Sequence, residues 1–282
     1  MNPKDFESAD PIAWCPGCGN FSIREAVTTA LAELELEPWQ VCFASGIGQA
    51  AKAPHYIRCN LFNGLHGRSL PLAIGIKLAN PGLVVFAEGG DGDGFAEGGN
   101  HFLHALRRNV NITYLVHDNQ VYGLTKGQAS PTSELGMVTR TTPFGSVEPA
   151  YNPLAMAVAM DCGFVARGFS GKPRHLADLI KEAVRHPGFS FIQVLQNCVS
   201  FNKVNTYKWY SHRVYEVEVH DPADRSAAWR LAQEWGMRIP IGVIYRSSRS
   251  SYDSLHPVLR DGAPAGREFD PAVLSRLVDR LR

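Results

Sequence analysis

Downstream of Pro38, short apolar runs bounded by glycine or polar residues alternate with longer stretches whose apolar residues recur at helical spacing, and this alternation constrains the chain most. Residues 40–44, 57–62, 83–87, 112–117, 164–168 and 189–194 read as strands, whereas 70–79, 95–107, 153–160 and 173–186 read as helices. An earlier helix is expected from Asn20, which can cap it, through Ile23, Ala26, Val27, Ala30, Leu31 and Leu34, with Pro38 ending it. Strands that take turns with helices predict an α/β fold: a mostly parallel sheet flanked by helices on both faces. Past residue 200 the pattern weakens into a stretch containing Trp209, Tyr210 and Tyr215, a helix near 223–235, a polar segment from Arg246 to Arg267 and a short final helix. Residues 1–205 are therefore expected to form the main domain, and 206–282 a C-terminal extension, an arm for contact between subunits.

A chain of 282 residues suffices for one large domain, or one with an appendage. Its hydrophobic content of 45%, charged content of 20% and net charge of +1 are those of an ordinary globular protein, and none of them points to a nucleic-acid or acidic-membrane partner. Acidic residues occupy the start, where a signal peptide needs a basic and then an apolar stretch. No apolar run approaches the roughly 20 residues of a membrane span, so a cytoplasmic location is expected. In that reducing compartment the six cysteines (Cys15, Cys18, Cys42, Cys59, Cys162 and Cys198) read as free thiols or metal ligands rather than disulfides.

Ligands of such sheets sit at the carboxyl ends of the strands. The loops expected there are Ser45-Gly-Ile-Gly48, Asn63-Gly-Leu-His-Gly-Arg68, Gly89-Gly-Asp-Gly-Asp-Gly94 and Asp118-Asn-Gln-Val-Tyr-Gly123. Asp91 follows one strand and Asn119 the next, so one strand–helix–strand unit brings both side chains to the same rim. A carboxylate, an amide oxygen and the backbone carbonyl of Val121 suit octahedral Mg²⁺, which completes its shell with phosphate oxygens and water. Glycines let backbone N–H groups approach a diphosphate, aided by the helix N-terminus that follows. Gly46-Ile47-Gly48 also looks like part of a dinucleotide fingerprint. That fingerprint wants an acidic residue about 20 positions on, and no Asp or Glu occurs between Glu37 and Glu88, which counts against a nicotinamide site.

Gly-Asp-Gly followed by a distant Asn resembles the motif of thiamine-diphosphate enzymes. Trp14-Cys-Pro-Gly-Cys-Gly19, Asn63 to Arg68, Gly90-Asp-Gly-Asp93, Gly98-Gly-Asn-His-Phe102 and Tyr122-Gly-Leu-Thr-Lys-Gly-Gln-Ala-Ser-Pro-Thr132 are similar, more narrowly, to the β subunit of bacterial and archaeal 2-oxoacid:ferredoxin oxidoreductases. The resemblance implies a thiamine-diphosphate-binding fold in which Asp91, Asn119 and Val121 hold Mg²⁺. It also implies that the Gly46–Gly48 turn, Gly90, His66 and the backbone of Gly92 and Asp93 serve the diphosphate. Lys52 and Lys126, at strand ends, match lysines that bind substrate carboxylate, and Arg68 is a further candidate for a phosphate or carboxylate. The Gly123-Leu-Thr-Lys-Gly-Gln128 form looks like the branch that accepts 2-oxoglutarate.

Taken alone, Cys15-Pro-Gly-Cys18 suits zinc, a redox dithiol or a cluster equally. The resemblance favours a [4Fe–4S] cluster held by Cys15, Cys18 and Cys198. Members of that family usually carry a further cysteine where this chain has Gln49. A cubane takes four ligands, normally all cysteine, so another residue substitutes or the cluster is altered or absent. Cys59, expected to end a strand just before the Asn63–Arg68 loop, is the first candidate and Cys42 the second, although both also read as core thiols, as does Cys162. The implied activity is CoA-dependent oxidative decarboxylation of a 2-oxoacid, 2-oxoglutarate first, with electrons passed to ferredoxin, in either direction. An obligate α subunit is implied too, because the glutamate that activates the aminopyrimidine comes from a partner domain. The alternatives are a pyruvate or broad-range enzyme, a cluster-free thiamine-dependent decarboxylase subunit, and a non-catalytic subunit stabilised by zinc.

Overall fold

The computed structural model describes residues 1–260, 262–268 and 270–282, Arg260 by its backbone alone. The main strands are β1 (Val41–Ser45), β2 (Asn60–Asn63), β3 (Val84–Gly90) and β4 (Thr113–Asp118), then, after a small hairpin of β5 (Val121–Tyr122) and β6 (Gln128–Ala129), β7 (Phe164–Phe169), β8 (Ser190–Leu195), β9 (Val214–Glu216) and β10 (Ile239–Arg246). Eight of them form one sheet in the order β2-β1-β3-β4-β8-β7-β10-β9. Every pairing in it is parallel except that of β10 with β7.

Parallel strands buried on both faces are predominantly apolar, and β1, β4, β7 and β8 are buried at every position, with a few hydrogen-bonded polar residues such as Asp118 and Gln193 among them. Their side chains alternate between two cores. Phe43, Phe86, Leu115 and Ile192 face α1 (Asn20–Glu33) and α5 (Pro173–Arg185). Ala44, Val85, Tyr114, Val116 and Phe191 face the other set: α2 (Ser69–Ala79), α3 (Gly99–Arg108), α4 (Pro153–Ala159) and, after the short α6 (Tyr207–Ser211), α7 (Arg225–Gln233). Phe43 and Phe86 stack on the first face with centroids 4.6 Å apart. Each fully buried side chain of this size stabilises the fold by about 1.5–3 kcal/mol.

Four boundaries differ from the sequence expectation, each for a local reason. The cap of α1 is Gly19, and Asn20 sits in the first turn with its Oδ1 2.9 Å from His117 Nδ1; the helix stops at Glu33, where Glu35 adopts a left-handed φ of 56°, short of Pro38. The strand expected at 57–62 begins only at Asn60, because Ala50–Tyr56 winds into a 3₁₀ stretch and the next residues pair with the N-terminal segment, Ile57 bridging Glu7 and Arg58 N–H donating to Phe6 O at 2.8 Å. The helix expected at 95–107 is a wide π-type turn, Gly92–Glu97, followed by α3. A Cβ on the intervening Gly98 would lie 2.8 Å from the carbonyl oxygens of Asp93 and Gly94.

The fourth difference is the stretch expected to be an arm. Through Arg246 it belongs to the sheet: β10 extends the sheet beyond β7, β9 forms its edge, and α7 packs on α4. Only the segments after it leave the sheet, ending in the helix Pro271–Asp279, whose Val273, Leu274, Leu277 and Val278 are exposed. Among the described residues no helix is long and apolar enough to cross a membrane.

Candidate active site

Strands β1, β3, β4 and β8 run the same way and end on one rim. A cavity opens there between the loop after β1 (Ile47–Ala50), His66, the turn after β3 (Gly90–Asp93) and the loop after β4 (Asn119 and Val121–Thr125). Asp91, Asn119 and Val121 thus share one cleft with Ile47, Gly48, His66, Gly90, Gly92 and Asp93. Gly46 lies just behind them, against the Asp93 carboxylate. Between Asn119 and Val121 the chain reverses through Gln120, whose φ is 61°. Asn119 Oδ1 accepts the Val121 N–H at 3.0 Å, which holds both residues on the cleft.

The Asp93 side chain has a role that its expected backbone contact did not suggest. Its Oδ1 accepts the backbone N–H groups of Ile47 (2.9 Å) and Gly67 (2.8 Å) and lies 2.7 Å from His66 Nδ1. One carboxylate therefore fastens the loops after β1 and β2 to the turn after β3, and it leaves His66 Nε2 as the ring nitrogen available to a ligand. The approach is close enough to demand glycine, since a Cβ on Gly46 or Gly89 would collide with Asp93 Oδ2. Burial pushes the Asp93 carboxyl above its ordinary range, against the lowering effect of the Ile47 and Gly67 N–H groups.

Asp91 is 1% exposed. Its Oδ2 accepts from Ser130 Oγ and lies 2.8 Å from Thr132 Oγ1, which is also 2.7 Å from Asp118 Oδ1. A single hydroxyl proton faces two carboxylates here. Burial, and then the charge of Asp118, push Asp91 up to about 7. A divalent cation in the cleft would supply the positive charge that this buried pair calls for, and carboxylate, amide and carbonyl oxygens are the hard donors that Mg²⁺ takes. The donor set fits Mg²⁺ with a diphosphate.

A second cavity adjoins the first. Cys15, Cys18 and Cys198 line it, and Gln49, Asn119 and Gly123 line both cavities. The Cys15–Cys18 turn is closed by the Cys18 N–H to Cys15 O at 3.0 Å, with Gly17 at φ 81°. Asn197 Nδ2 pins it to the loop after β8 by donating to Gly17 O at 3.1 Å. Donors face all three sulfurs: Ser200 Oγ is 3.1 Å from Cys15 Sγ, Gln196 Nε2 3.4 Å from Cys18 Sγ, and the Phe201 N–H 3.4 Å from Cys198 Sγ. Burial pushes Cys18 up to about 11, with Cys198 and Cys15 adding to it, so its thiol must release a proton to become a ligand. Among the described residues no three Cys, His, Asp or Glu side chains converge on a single ion. A cluster spreads its ligands over separate irons, and three thiols that each have a hydrogen-bond donor to sulfur fit such a group.

Cys59 is not brought to this set. Because β2 starts late, Cys59 falls at its amino end, opposite the rim and on the order of 10 Å from it. It packs half-buried with Phe6 and Ile57, and burial, then Cys42 and Glu88, push it up to about 12. Cys42, near the start of β1, is at the same end, and Cys162 is buried with Sγ 3.3 Å from Phe164 O. Lys52 is half-buried on the 3₁₀ stretch after the first loop. Lys126 is exposed at φ 81°, directly after the lining residues Leu124 and Thr125. Neither ammonium is among the described residues of the cavity wall. Arg68 Nη1 is 3.0 Å from His101 Nε2 at the surface. Sequence reasoning missed Ser130 and Thr132, although both lie in the quoted motif, and the buried pair of Glu88 Oε1 and His117 Nε2, 2.8 Å apart beneath the rim.

Fold and rim are those of a thiamine-diphosphate-binding domain: residues 42–194 match the family described as "Thiamine pyrophosphate enzyme, C-terminal TPP binding domain". Residues 198–261 match the family for the C-terminal part of the "Pyruvate ferredoxin oxidoreductase beta subunit". The β subunit of 2-oxoacid:ferredoxin oxidoreductase 1 from Aeropyrum pernix is 46% identical over 82% of this chain and 77% of its own. The 2-oxoglutarate oxidoreductase subunit KorB of Mycobacterium tuberculosis is 42% identical over 71% and 53%. A solved structure of 2-oxoglutarate:ferredoxin oxidoreductase from Magnetococcus marinus, with 2-oxoglutarate, coenzyme A and succinyl-CoA bound, superposes with a TM-score of 0.92 at 40% identity, covering 98% of this chain and 96% of that one. The chain belongs to the β subunits of the 2-oxoacid:ferredoxin oxidoreductases.

Proposed function

We propose that this β subunit serves a cytoplasmic enzyme that converts 2-oxoglutarate and coenzyme A to succinyl-CoA and CO₂, and passes the electrons through a [4Fe–4S] cluster to ferredoxin. The observation that carries the proposal is the wall shared by the two cavities, in which Gln49, Asn119 and Gly123 separate an oxygen-donor cleft from a three-cysteine cleft. The KorB relatives and the Magnetococcus structure, which holds 2-oxoglutarate and succinyl-CoA, support the choice of substrate.

Thiamine diphosphate supplies the carbanion chemistry that releases CO₂ from a 2-oxoacid. The residues of this chain orient and neutralise. Asp91, Asn119 and the Val121 carbonyl hold Mg²⁺, while His66 and the backbone at Gly46–Gly48, Gly90, Gly92 and Asp93 meet the diphosphate. Lys52 and Lys126 take the carboxylates of the substrate. Cys15, Cys18 and Cys198 hold the cluster beside the cofactor. The site is completed by an α subunit, which activates the aminopyrimidine, so the β subunit alone is inactive; with electrons supplied, the same site carboxylates succinyl-CoA.

The test is to purify the chain anaerobically with its α subunit, assay iron and acid-labile sulfide, and record the electron paramagnetic resonance spectrum after 2-oxoglutarate and coenzyme A. About four irons per αβ unit and a reduced-cluster signal are expected. Zinc in place of iron, with no signal, overturns the electron-transfer role and leaves non-oxidative thiamine chemistry. A signal with pyruvate but none with 2-oxoglutarate overturns the choice of substrate.

A further inference from the structure

Three cysteines line the second cavity, and the other three of the chain are elsewhere: Cys59 and Cys42 at the amino ends of their strands, Cys162 in the core. A cubane has four corners to ligate, so its fourth donor must come from another residue of that wall. Asn20 Oδ1 is taken up by His117 Nδ1 at 2.9 Å, Asn119 serves the proposed Mg²⁺ site in the adjoining cleft, and Ser200 Oγ already faces Cys15 Sγ. Two buried side-chain oxygens of the wall have no hydrogen-bond partner, Gln49 Oε1 and Gln196 Oε1. Gln196 stands close to Cys198 in the chain, and its amide is engaged through Nε2 with Cys18 Sγ at 3.4 Å and Asn197 O at 2.5 Å. It lies on the side of the cavity that already supplies the thiols. Gln49 comes from a different segment, the loop after β1. Its backbone oxygen accepts Trp14 Nε1–H at 2.9 Å, which fixes it against the residue preceding Cys15, and its Cγ lies 3.7 Å from a Cβ placed on Gly123.

We propose that Gln49 Oε1 is the fourth ligand of the cluster, which would thereby be held by three thiolates and one neutral oxygen from the wall shared with the thiamine-diphosphate cleft. The proposal rests on the cluster of the proposed function. An unbonded buried oxygen on a wall shared with three thiols costs about 1–3 kcal/mol unless something meets it, and an iron corner would do so. Oxygen is a harder donor than thiolate, so that iron is the most labile of the four. With one anionic ligand fewer, the cluster is also easier to reduce than an all-thiolate one, because net charge helps to set its potential.

The experiment uses the anaerobic αβ holoenzyme, enriched in ⁵⁷Fe, with Mössbauer spectra, iron content after brief ferricyanide treatment and a redox titration as readouts, none of which needs turnover. Wild type is expected to show one iron distinct from the other three and to fall from about four irons to about three on oxidation. Gln49→Glu keeps the oxygen donor and the distinct iron. Gln49→Leu is isolated with the three-iron form, and Gln49→Cys gives equivalent irons, resists oxidation and has a more negative midpoint potential. Gln49→Leu with spectra and iron content like wild type overturns the proposal, as does loss of the fourth iron in Gln196→Leu or Cys59→Ala but not in Gln49→Leu. Wild type without iron overturns both this proposal and the electron-transfer role. Iron that is indifferent to Gln49 overturns this proposal alone.

Discussion

Asp93→Ala tests whether one carboxylate assembles the cofactor cleft. The substitution removes the acceptor of two backbone N–H groups, those of Ile47 and Gly67, together with the partner of His66 Nδ1. A buried donor left unpaired costs about 1–3 kcal/mol. Losing the carboxylate also relieves the burial that pushes its pKa up, so the lower half of that range, about 3 kcal/mol for both groups, is the working figure. That ordering would have to be recovered on binding, and at 1.4 kcal/mol per factor of ten it weakens thiamine diphosphate binding by about 100-fold. Asp93→Asn retains an oxygen for both N–H groups and is expected to stay within about tenfold of wild type. The assay is a calorimetric titration of the cofactor-free αβ complex with thiamine diphosphate at saturating Mg²⁺, with thermal unfolding as a check on the global fold. An Asp93→Ala protein that stays folded and binds the cofactor as wild type does would refute the latch.

Glycine substitutions should divide by what lies around them. Gly67 has φ 73° and backbone atoms of Glu97 and Gly98 within 2.5 and 2.6 Å of a prospective Cβ, so Gly67→Ala is expected to lose about 2–5 kcal/mol in urea unfolding. Gly75, exposed in α2 with nothing within 4 Å, should instead gain about 0.5–1 kcal/mol as Ala. Burial and then the charge of Asp118 raise the Asp91 carboxyl, and burial raises Asp118 too, so this pair holds a proton toward neutral pH in the metal-free protein. Mg²⁺ binding at pH 6 should then release about one proton, and the release should vanish well above pH 7, as read by calorimetry in buffers of different ionisation enthalpy; release that does not change with pH would contradict this. On the proposed role of Lys126 as a substrate-carboxylate ligand, Lys126→Met loses a charge-assisted contact of about 1.5–3 kcal/mol and should raise KM for 2-oxoglutarate by about 10–100-fold with little change in cofactor affinity; an unchanged KM would remove Lys126 from the substrate site.

The rim was legible because its residues sit at strand ends whose apolar runs are unambiguous. The strands expected to end at Ala87 and His117 run on to Gly90 and Asp118, three residues and one residue further, so that Asp91 and Asn119 directly follow them. Cys59 was misplaced because Pro54 and the bridge from Ile57 to Glu7 delay β2, and a shift of three residues in a four-residue strand moves a side chain from one end of the sheet to the other. Ile239–Tyr245 is an apolar run, yet Pro240, Gly242 and the register break between Val243 and Tyr245 blur its alternation, and its antiparallel pairing with β7 departs from the parallel scheme. The Asp93 latch has no local signature at all. It exists only once three loops converge, and the one trace of it in the sequence is the glycine at 46 and at 89.

The Trp14–Gln49 bond and the Asn202 Nδ2 contact to Asn119 O at 3.1 Å tie the segments that carry the cysteines to the loops that carry the diphosphate ligands. Whatever order one prosthetic group imposes on those loops is order the other no longer has to supply. Thermodynamic linkage makes this benefit symmetrical: the factor by which a loaded cluster tightens diphosphate binding equals the factor by which diphosphate tightens the hold on the cluster. If the proposed cluster is present, removing its iron with a chelator should therefore weaken thiamine diphosphate binding, and removing thiamine diphosphate should weaken the hold on the cluster by the same factor in affinity.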